Sequence, residues 1–536
     1  THPTAVSRRA VGVVRVLTLL VVALVLLSTS AFSGPRRARL SDDLRGAAQA
    51  GKAGGPRVIV GGCKRFARLL AARHGLRVER VLRTGAVLAG SLRQIDSLSY
   101  DHEVDTLSVD QPVYAMMATT TTTTGADQVW AGLDGLAGLT GRGIGVAVID
   151  SGITEHRDLR NRVVASVDFV NRANFGLDLY GHGTHMAGII AGNARVPGGV
   201  KGVAPGAHLI NLRVMNAHGV GRTSDVIEAI DWAIANRQRY NIRVLNLSLG
   251  HPVTQTWRDD PLCLAVERAS AAGIVVVTAA GNLGKTSDGK AVVAGIVAPG
   301  NAPSVITVGA TNAKGTAARS DDVMATYSSR GPTHIDRIVK PDLVAPGNKV
   351  ESLAAPFSKL TVRYPELVDG RGLWRTLTLS GTSQSAAVVA GAAALLLEAN
   401  PALKPAQVKF ALQVTAGRMA GAGVIEQGAG QLNVAAAVLL AAGRAQQSFP
   451  TTTIAGETIA SSAIAFNAKP FSHADGQTLV WGDTLVWGDT LVWGDTLVWG
   501  DTLVWGDTLV WGDTLVWGDT LVWGDTLVWG DTLVWG

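Results

Sequence analysis

The sequence predicts an α/β fold in which a parallel sheet is covered by helices on both faces. A small α+β domain precedes it and a hexapeptide-repeat tail follows it. Three observations carry this. From Trp130 to about Ala442, short β-branched runs alternate with amphipathic helical stretches, the pattern of parallel strands joined by helical crossovers. Residues 40–117 show the same alternation on a smaller scale. Thr-Leu-Val-Trp-Gly-Asp then recurs nine times over residues 478–531, with a partial tenth to 536.

Composition narrows the classes. The 536 residues are 47% hydrophobic and 17% charged, which argues for folded domains rather than a disordered chain. The net charge is +6, but the repeats carry nine aspartates and no base; without them +6 becomes about +15. The basic residues are scattered and enriched near the N-terminus, so we exclude nucleic acid as a partner. The only cysteines are Cys63 and Cys263. If the chain is cut between them, neither can staple the processed protein, and stability rests on packing or bound ions.

The elements follow in order. Residues 1–33 read as a signal peptide: a basic start at Arg8 and Arg9, an apolar stretch over 16–27, and a small-residue exit, Ala31-Phe32-Ser33. This implies a secreted or cell-surface protein. Within 40–117, residues 57–60 predict a strand. Residues 64–73 predict a helix with Phe66, Leu69 and Leu70 on one face, and 76–88 and 107–115 supply further strands. The polythreonine tract 119–124 is expected to be an exposed connector. In the body, 118–443, strands are predicted at 144–149, 208–214, 244–249, 274–279 and 305–308. Helices are predicted at 224–236, 263–272, 386–398 and 405–414. Residues 444–477 read as a polar linker. For 478–536 three arrangements stay open: a ladder of short hairpins, a coil that stacks its repeats, and disorder. The tail suggests cell-surface attachment or self-association.

Three motifs carry chemistry. Residues 144–152 are a continuous buried-strand run ending in Asp150 and a Gly turn. In Gly181-His182-Gly183-Thr184-His185, a histidine opens a helix. In Gly381-Thr382-Ser383-Gln384, a serine opens a long apolar helix, where unpartnered backbone N–H groups favour a developing negative charge. With these three motifs in the order Asp, His, Ser, the chain resembles the subtilisin-like serine proteases, or subtilases. The resemblance covers about 300 residues and implies a subtilisin-like sheet with active residues at strand C-termini.

Peptide hydrolysis needs a nucleophile, a base, a group that orients the base, and oxyanion donors. The resemblance implies Ser383 as nucleophile, His182 as base and then acid, and Asp150 as the carboxylate that fixes the imidazole. Val277-Thr278-Ala279-Ala280-Gly281-Asn282 resembles the family's oxyanion motif and points to the Asn282 side chain. Substrate would add as a β-strand between Ser248, Leu249 and Gly250 on one side and Gly219 and Gly221 on the other. The 40–117 domain resembles the family's inhibitory, fold-assisting propeptide, with cleavage expected between 114 and 124. Asp158 and Asn193 stand where some subtilases hold calcium; a structural calcium ion is left open there, no cofactor is required for the chemistry, and no catalytic metal is expected. His185 and Cys263 read as packed core residues. Gln384 and the residues after it depart from the family's Met and Ala-Ser-Pro-His, losing a proline at the helix start. The expected function is a secreted, self-processed serine endopeptidase acting on polypeptides. The alternative is a surface structural or adhesive protein in which the tail is the working part.

Overall fold

The structure is a computed structural model. It describes residues 37–41, 44, 56–61, 67–110, 112–115, 122–172, 176–194, 199–286, 288–370, 375–444 and 449–466, and in the tail eight short strands between 490 and 535. The signal-peptide reading and Cys63 lie outside the described residues.

In the N-terminal domain, β1 (Arg39–Leu40), β2 (Arg57–Gly61), β3 (Arg77–Leu82), β4 (Gly85–Ala89) and β5 (Thr106–Val109) form one sheet, ordered β1-β5-β2-β4-β3. Helices α1 (Ala67–Arg73) and α2 (Leu92–Ser99) pack on it, burying Leu70, Leu88, Leu98 and Leu107 in a separate core. The sequence starts α2 with a capping box: Ser91 Oγ accepts the Gln94 N–H, and Gln94 Oε1 accepts the Ser91 N–H. Strand β6 (Pro112–Ala115) leaves this domain for the body.

The body is built on strands β7 (Gly145–Asp150), β8 (Val163–Asp168), β9 (His208–Arg213), β11 (Ile242–Leu247), β13 (Val275–Ala279), β14 (Ile306–Asn312), β15 (Val323–Met324) and β16 (Leu343–Pro346). Their order is β15-β14-β13-β11-β7-β9-β8, with β16 also on β14; every pair is parallel except β14–β15. Two shorter strands, β10 (Val220–Arg222) and β12 (Leu249–Gly250), stand outside this sheet.

Helices cover both faces. On one lie α3 (Ala126–Ala131), α4 (His182–Ala191), α8 (Thr382–Ala399), α9 (Pro405–Val414) and α10 (Val434–Ala441). On the other lie α5 (Thr223–Asn236) and α6 (Pro261–Ala271). Strand β7 shows why: Val146 and Val148 enter the first core, Ala147 and Ile149 the second. Helix α8 is long and apolar enough to cross a membrane, yet 89% of it is buried in the body, so its apolar residues serve the core. A short helix, α7 (Lys359–Arg363), lies beside a small antiparallel sheet of β17 (Val350–Leu353), β19 (Thr376–Leu379) and β18 (Val368–Asp369).

One polar cluster is built into this core. Asp342 lies between two ammonium groups, Lys340 Nζ at 2.7 Å and Lys409 Nζ at 2.9 Å, and both lysines also donate to the Val305 carbonyl. Burial lowers the Lys340 pKa to about 7.

The N-terminal domain docks on α5 and α6. Asp110 accepts the Ser224 N–H and Ser224 Oγ–H at the start of α5, both at 3.0 Å, where the helix dipole favours a carboxylate. Arg80 pairs with Asp225 at 2.5 Å, and Arg39 with Asp259 at 2.9 Å beside α6.

Two expectations need revision. The polythreonine tract is not an exposed connector where it is described: Thr123 and Thr124 are buried in a 3-10 turn leading into α3. The stretch expected to be a linker is bound to the body over 449–466. There β20 (Thr452–Ile454) and β21 (Glu457–Ile459) form a hairpin. Gln128 donates to the Thr453 carbonyl, Glu457 accepts the Arg319 and Ser320 N–H groups, and Ile454 and Ile464 are buried. Two isoleucines in a Thr/Ser/Ala-rich run suffice to seat it, each worth about 1.5–3 kcal/mol on burial.

In the tail, each strand pairs in parallel with the strand 18 residues further on. Thr490 is opposite Thr508 and Thr508 opposite Thr526; Thr496 is opposite Thr514 and Thr514 opposite Thr532; Thr502 is opposite Thr520. Of the three arrangements open from sequence, the pairing of the described strands at a spacing of three hexapeptides is the one a coil would give.

Candidate active site

Strand β7 lies where the order of connection reverses, flanked by β9 and β11, and its last residue is Asp150. Ligands of open parallel sheets bind at such a point, beyond the strand C-termini. The first residue of α4 is His182. Its Nδ1–H donates to Asp150 Oδ1 at 2.8 Å, with Oδ2 at 3.0 Å, and both residues are fully buried. This bond fixes the tautomer and makes Nε2 the nitrogen that takes up a proton. Gly183 permits the approach, since a Cβ there would lie 2.1 Å from the Gly152 carbonyl oxygen.

A carboxylate missed in the sequence holds this turn. Asp178 accepts the Gly181 N–H at 2.6 Å, the Thr184 N–H at 2.8 Å and the Ser151 Oγ–H at 2.7 Å; Ser151 Oγ in turn accepts the Gly183 N–H. Burial raises the Asp178 pKa, opposed by these donors. The signal was an aspartate four residues before His182, a position suited to the orphan N–H groups of a helix start.

Ser383 is the second residue of α8, fully buried, and α8 packs beside α4, so base and nucleophile candidates open neighbouring helices. Ser383 Oγ donates to the Ser248 carbonyl at 3.2 Å, and Ser248 Oγ donates back to the Ser383 carbonyl at 2.8 Å. Asn246 Nδ2 supports Ser248 Oγ at 3.0 Å. Asn282 reaches the same helix start: its Oδ1 accepts the Thr382 N–H at 3.0 Å and Thr382 Oγ1–H at 3.1 Å.

The five substrate-strand candidates fall into one sheet region. Ser248, Leu249 and Gly250 run into and along β12; Gly221 lies in β10, with Gly219 just before it. Between them lies β6, in the order β10-β6-β12, antiparallel to both. Val113 is opposite Gly221, Tyr114 opposite both Val220 and Gly250, and Ala115 opposite Leu249.

His185 is a core residue. Its Nε2–H donates to the Leu377 carbonyl at 2.8 Å, and Nδ1 accepts Gln384 Nε2 at 3.3 Å. Burial, then the neighbouring His182, lowers its pKa to about 3. Gln384 thus joins the α4 and α8 helix starts. Cys263 is buried with Sγ 3.1 Å from Asn301 Oδ1, and burial pushes its thiol pKa well up, against a nucleophilic role.

Among the described residues, no group of three or more His, Cys, Asp and Glu side chains could hold a metal. Asp158 Oδ2 accepts the Val200 N–H at 3.0 Å, and the Asp158 carbonyl accepts the Asn193 N–H.

The sequence model of the subtilase family matches residues 141–448. Serine protease AprX of Bacillus subtilis (strain 168) is 41% identical over 285 residues, 51% of this chain and 61% of that protein, so the chain spans about three fifths of that relative. Subtilisin DY of Bacillus licheniformis is 36% identical over 302 residues, 56% of this chain and 92% of that protein. Among solved structures, fervidolysin from Fervidobacterium pennivorans, a keratinolytic enzyme related to subtilisin, shares the fold at a TM-score of 0.57 and 21% identity, covering 78% of this chain and 64% of that one. The family match leaves the tail outside, so it lends no support to an adhesive protein built around the repeats.

Proposed function

The chain belongs to the subtilase family of serine proteases, and on that premise we propose that it is a secreted endopeptidase that cuts peptide bonds through an acyl-enzyme. It is made as a precursor and processes itself. The observation that best supports this is the buried Asp150–His182 pair beside the helix start that carries Ser383.

His182 takes the Ser383 hydroxyl proton as Oγ attacks the scissile carbonyl, because a serine hydroxyl does not ionise at neutral pH. Asp150 stabilises the imidazolium without accepting the proton. The oxyanion is met by the Ser383 N–H, unpaired by helix geometry, and by the Asn282 amide nitrogen, the end of that side chain not occupied by Thr382. The imidazolium then gives its proton to the leaving amine. Water repeats the cycle on the acyl group and frees the enzyme.

The register of β6 supports self-processing. It adds to β10 and β12 as an extended peptide would, and its C-terminal end runs toward Ser248, whose carbonyl touches Ser383 Oγ. The N-terminal domain therefore acts as a propeptide whose last strand fills the cleft. Cleavage falls just beyond β6. Casein hydrolysis by the processed protein tests the reading: activity present in the wild type and lost in Ser383→Ala is expected, and equal activity in both removes Ser383 as nucleophile.

A further inference from the structure

Cleavage just beyond β6 turns an internal stretch of chain into a new N-terminal arm, which leads through residues 122–124 into α3. A chain end frays unless something ties it down. This arm has little stability of its own. Helix α3 has six residues, too few to hold as an isolated helix, and its N-cap, Gly125, offers no side chain to the first N–H groups. Its place depends on tertiary contacts.

The body supplies some of them. Ala126 and Val129 enter the main core, and Trp130 Nε1–H donates to the Val203 carbonyl at 2.9 Å. The others come from the far end of the chain. Gln128 Nε2–H donates to the Thr453 carbonyl in β20 at 2.6 Å. A Cβ built on Gly125 would lie 3.4 Å from Ile454 Cδ1 and 3.4 Å from Ala435 Cβ, so Ile454 closes over the turn that starts α3, against α10. Ile454 is 1% exposed.

The hairpin of β20 and β21 is in turn fixed to the body at several points along its length. A two-stranded hairpin of three-residue strands is not stable alone. Asn433 Nδ2–H donates to Thr452 Oγ1 at 2.7 Å, just after the hairpin begins. At its turn, Glu457 accepts the Arg319 N–H at 2.6 Å and the Ser320 N–H at 3.0 Å. Beyond it, the Ser462 N–H donates to the Ala416 carbonyl at 2.7 Å, and Ile464 is buried with Ala416 and Ala429. The arm and the hairpin flank the 141–448 family match on opposite sides, so their contact is an addition to the shared catalytic body.

We propose that residues 449–466 are a strap that holds the new N-terminal arm on the body after processing and keeps the enzyme from trimming it. This rests on the self-processing endopeptidase reading. A protease meets its own freed end at high local concentration, and an end is cut only when its backbone leaves the body to be bound as an extended strand. Gln128 and Ile454 oppose that departure at the two places where the hairpin meets the arm.

The test uses the full chain after self-processing, a truncation lacking 467–536, a truncation lacking 449–536, and the double variant Gln128→Ala/Ile454→Ala. Hydrogen exchange of residues 122–131 is measured by mass spectrometry after covalent inactivation of Ser383, and N-terminal sequencing follows each active protein over time. Wild type and the 467–536 truncation should show the same slow exchange and keep one N-terminus. Loss of 449–536 should speed exchange over 122–131 on the order of tenfold or more and give new N-termini within 122–131, with initial casein hydrolysis unchanged. The double variant should do the same to a smaller degree, and it carries the test if the longer truncation does not fold. Wild-type exchange and a wild-type N-terminus in the double variant overturn the strap while leaving the endopeptidase reading intact. A wild-type chain that never cuts itself beyond β6 overturns the self-processing reading and this proposal with it.

Discussion

Asn282 Oδ1 accepts the Thr382 N–H at 3.0 Å, one residue before the nucleophile candidate. This bond, together with that from Thr382 Oγ1, commits the oxygen end of the amide and presents the nitrogen end as a donor. Asn282→Ala should therefore lower kcat about 10²–10³-fold with little change in KM, because the donor acts on charge that develops only in the transition state. Steady-state kinetics on a peptide ester or amide separates the two parameters. A raised KM with kcat intact would assign Asn282 to ground-state binding instead.

The Asp150–His182 bond predicts a graded pair of variants. Asp150→Asn keeps the shape but lets the imidazole adopt the wrong tautomer, and kcat should fall about 10⁴-fold. Ser383→Ala should abolish turnover and also leave the precursor uncut. Gel analysis of purified chains should then show the intact N-terminal domain in Ser383→Ala and its release in wild type.

The pairing of β6 narrows the processing site. N-terminal sequencing of the active form should begin between residues 116 and 121, just past Ala115. A start before Val113 or after Thr124 would mean that β6 does not lie in the cleft as a product.

Acid should weaken the fold through His185. Its pKa is about 3 when folded, against about 6.5 when unfolded. Between those values the unfolded chain binds a proton that the folded one does not, so stability falls as pH drops from about 6.5 toward 3. His185→Gln, whose amide can still donate to the Leu377 carbonyl, should make this dependence shallower by about 1.4 kcal/mol per pH unit in urea unfolding. An unchanged slope would place the acid sensitivity elsewhere.

Asp342 holds two buried ammonium groups together. Asp342→Asn should cost about 1–3 kcal/mol at neutral pH, since the lysines lose their shared acceptor and counter-charge while Lys340, its pKa already down to about 7, can shed its proton. Denaturant unfolding at neutral pH measures the loss, and a change within about 1 kcal/mol would show that the two lysines find other compensation.

Much of the body was legible before any coordinates, for physical reasons that can be named. Strand β7 is β-branched and buried on both faces, and parallel central strands require that; its C-terminal Asp150 follows from the run itself. The helix starts at His182 and Ser383 carry glycines and small polar residues that few other local structures use. Helix bounds moved by only a few residues, as at α6, where Asp260 accepts the Leu262 and Cys263 N–H groups and starts the helix at Pro261. Other features depend on contacts far apart in the chain. Asp178 is one polar residue among many until Gly181, Thr184 and Ser151 converge on it. Lys340 reads as a surface lysine until Asp342 and Val305 enclose it. The docking of 449–466 rests on Ile454 and Ile464 finding pockets made by other segments, which no local pattern encodes.

The described strands of the tail pair at a spacing of 18 residues, three identical hexapeptides. Gaining or losing one hexapeptide turns the free end by a third of a revolution, whereas a change of three restores the same orientation one layer up or down. Repeat-number variants should therefore fall into three rotational classes, with the outermost rung of each presented on a different side.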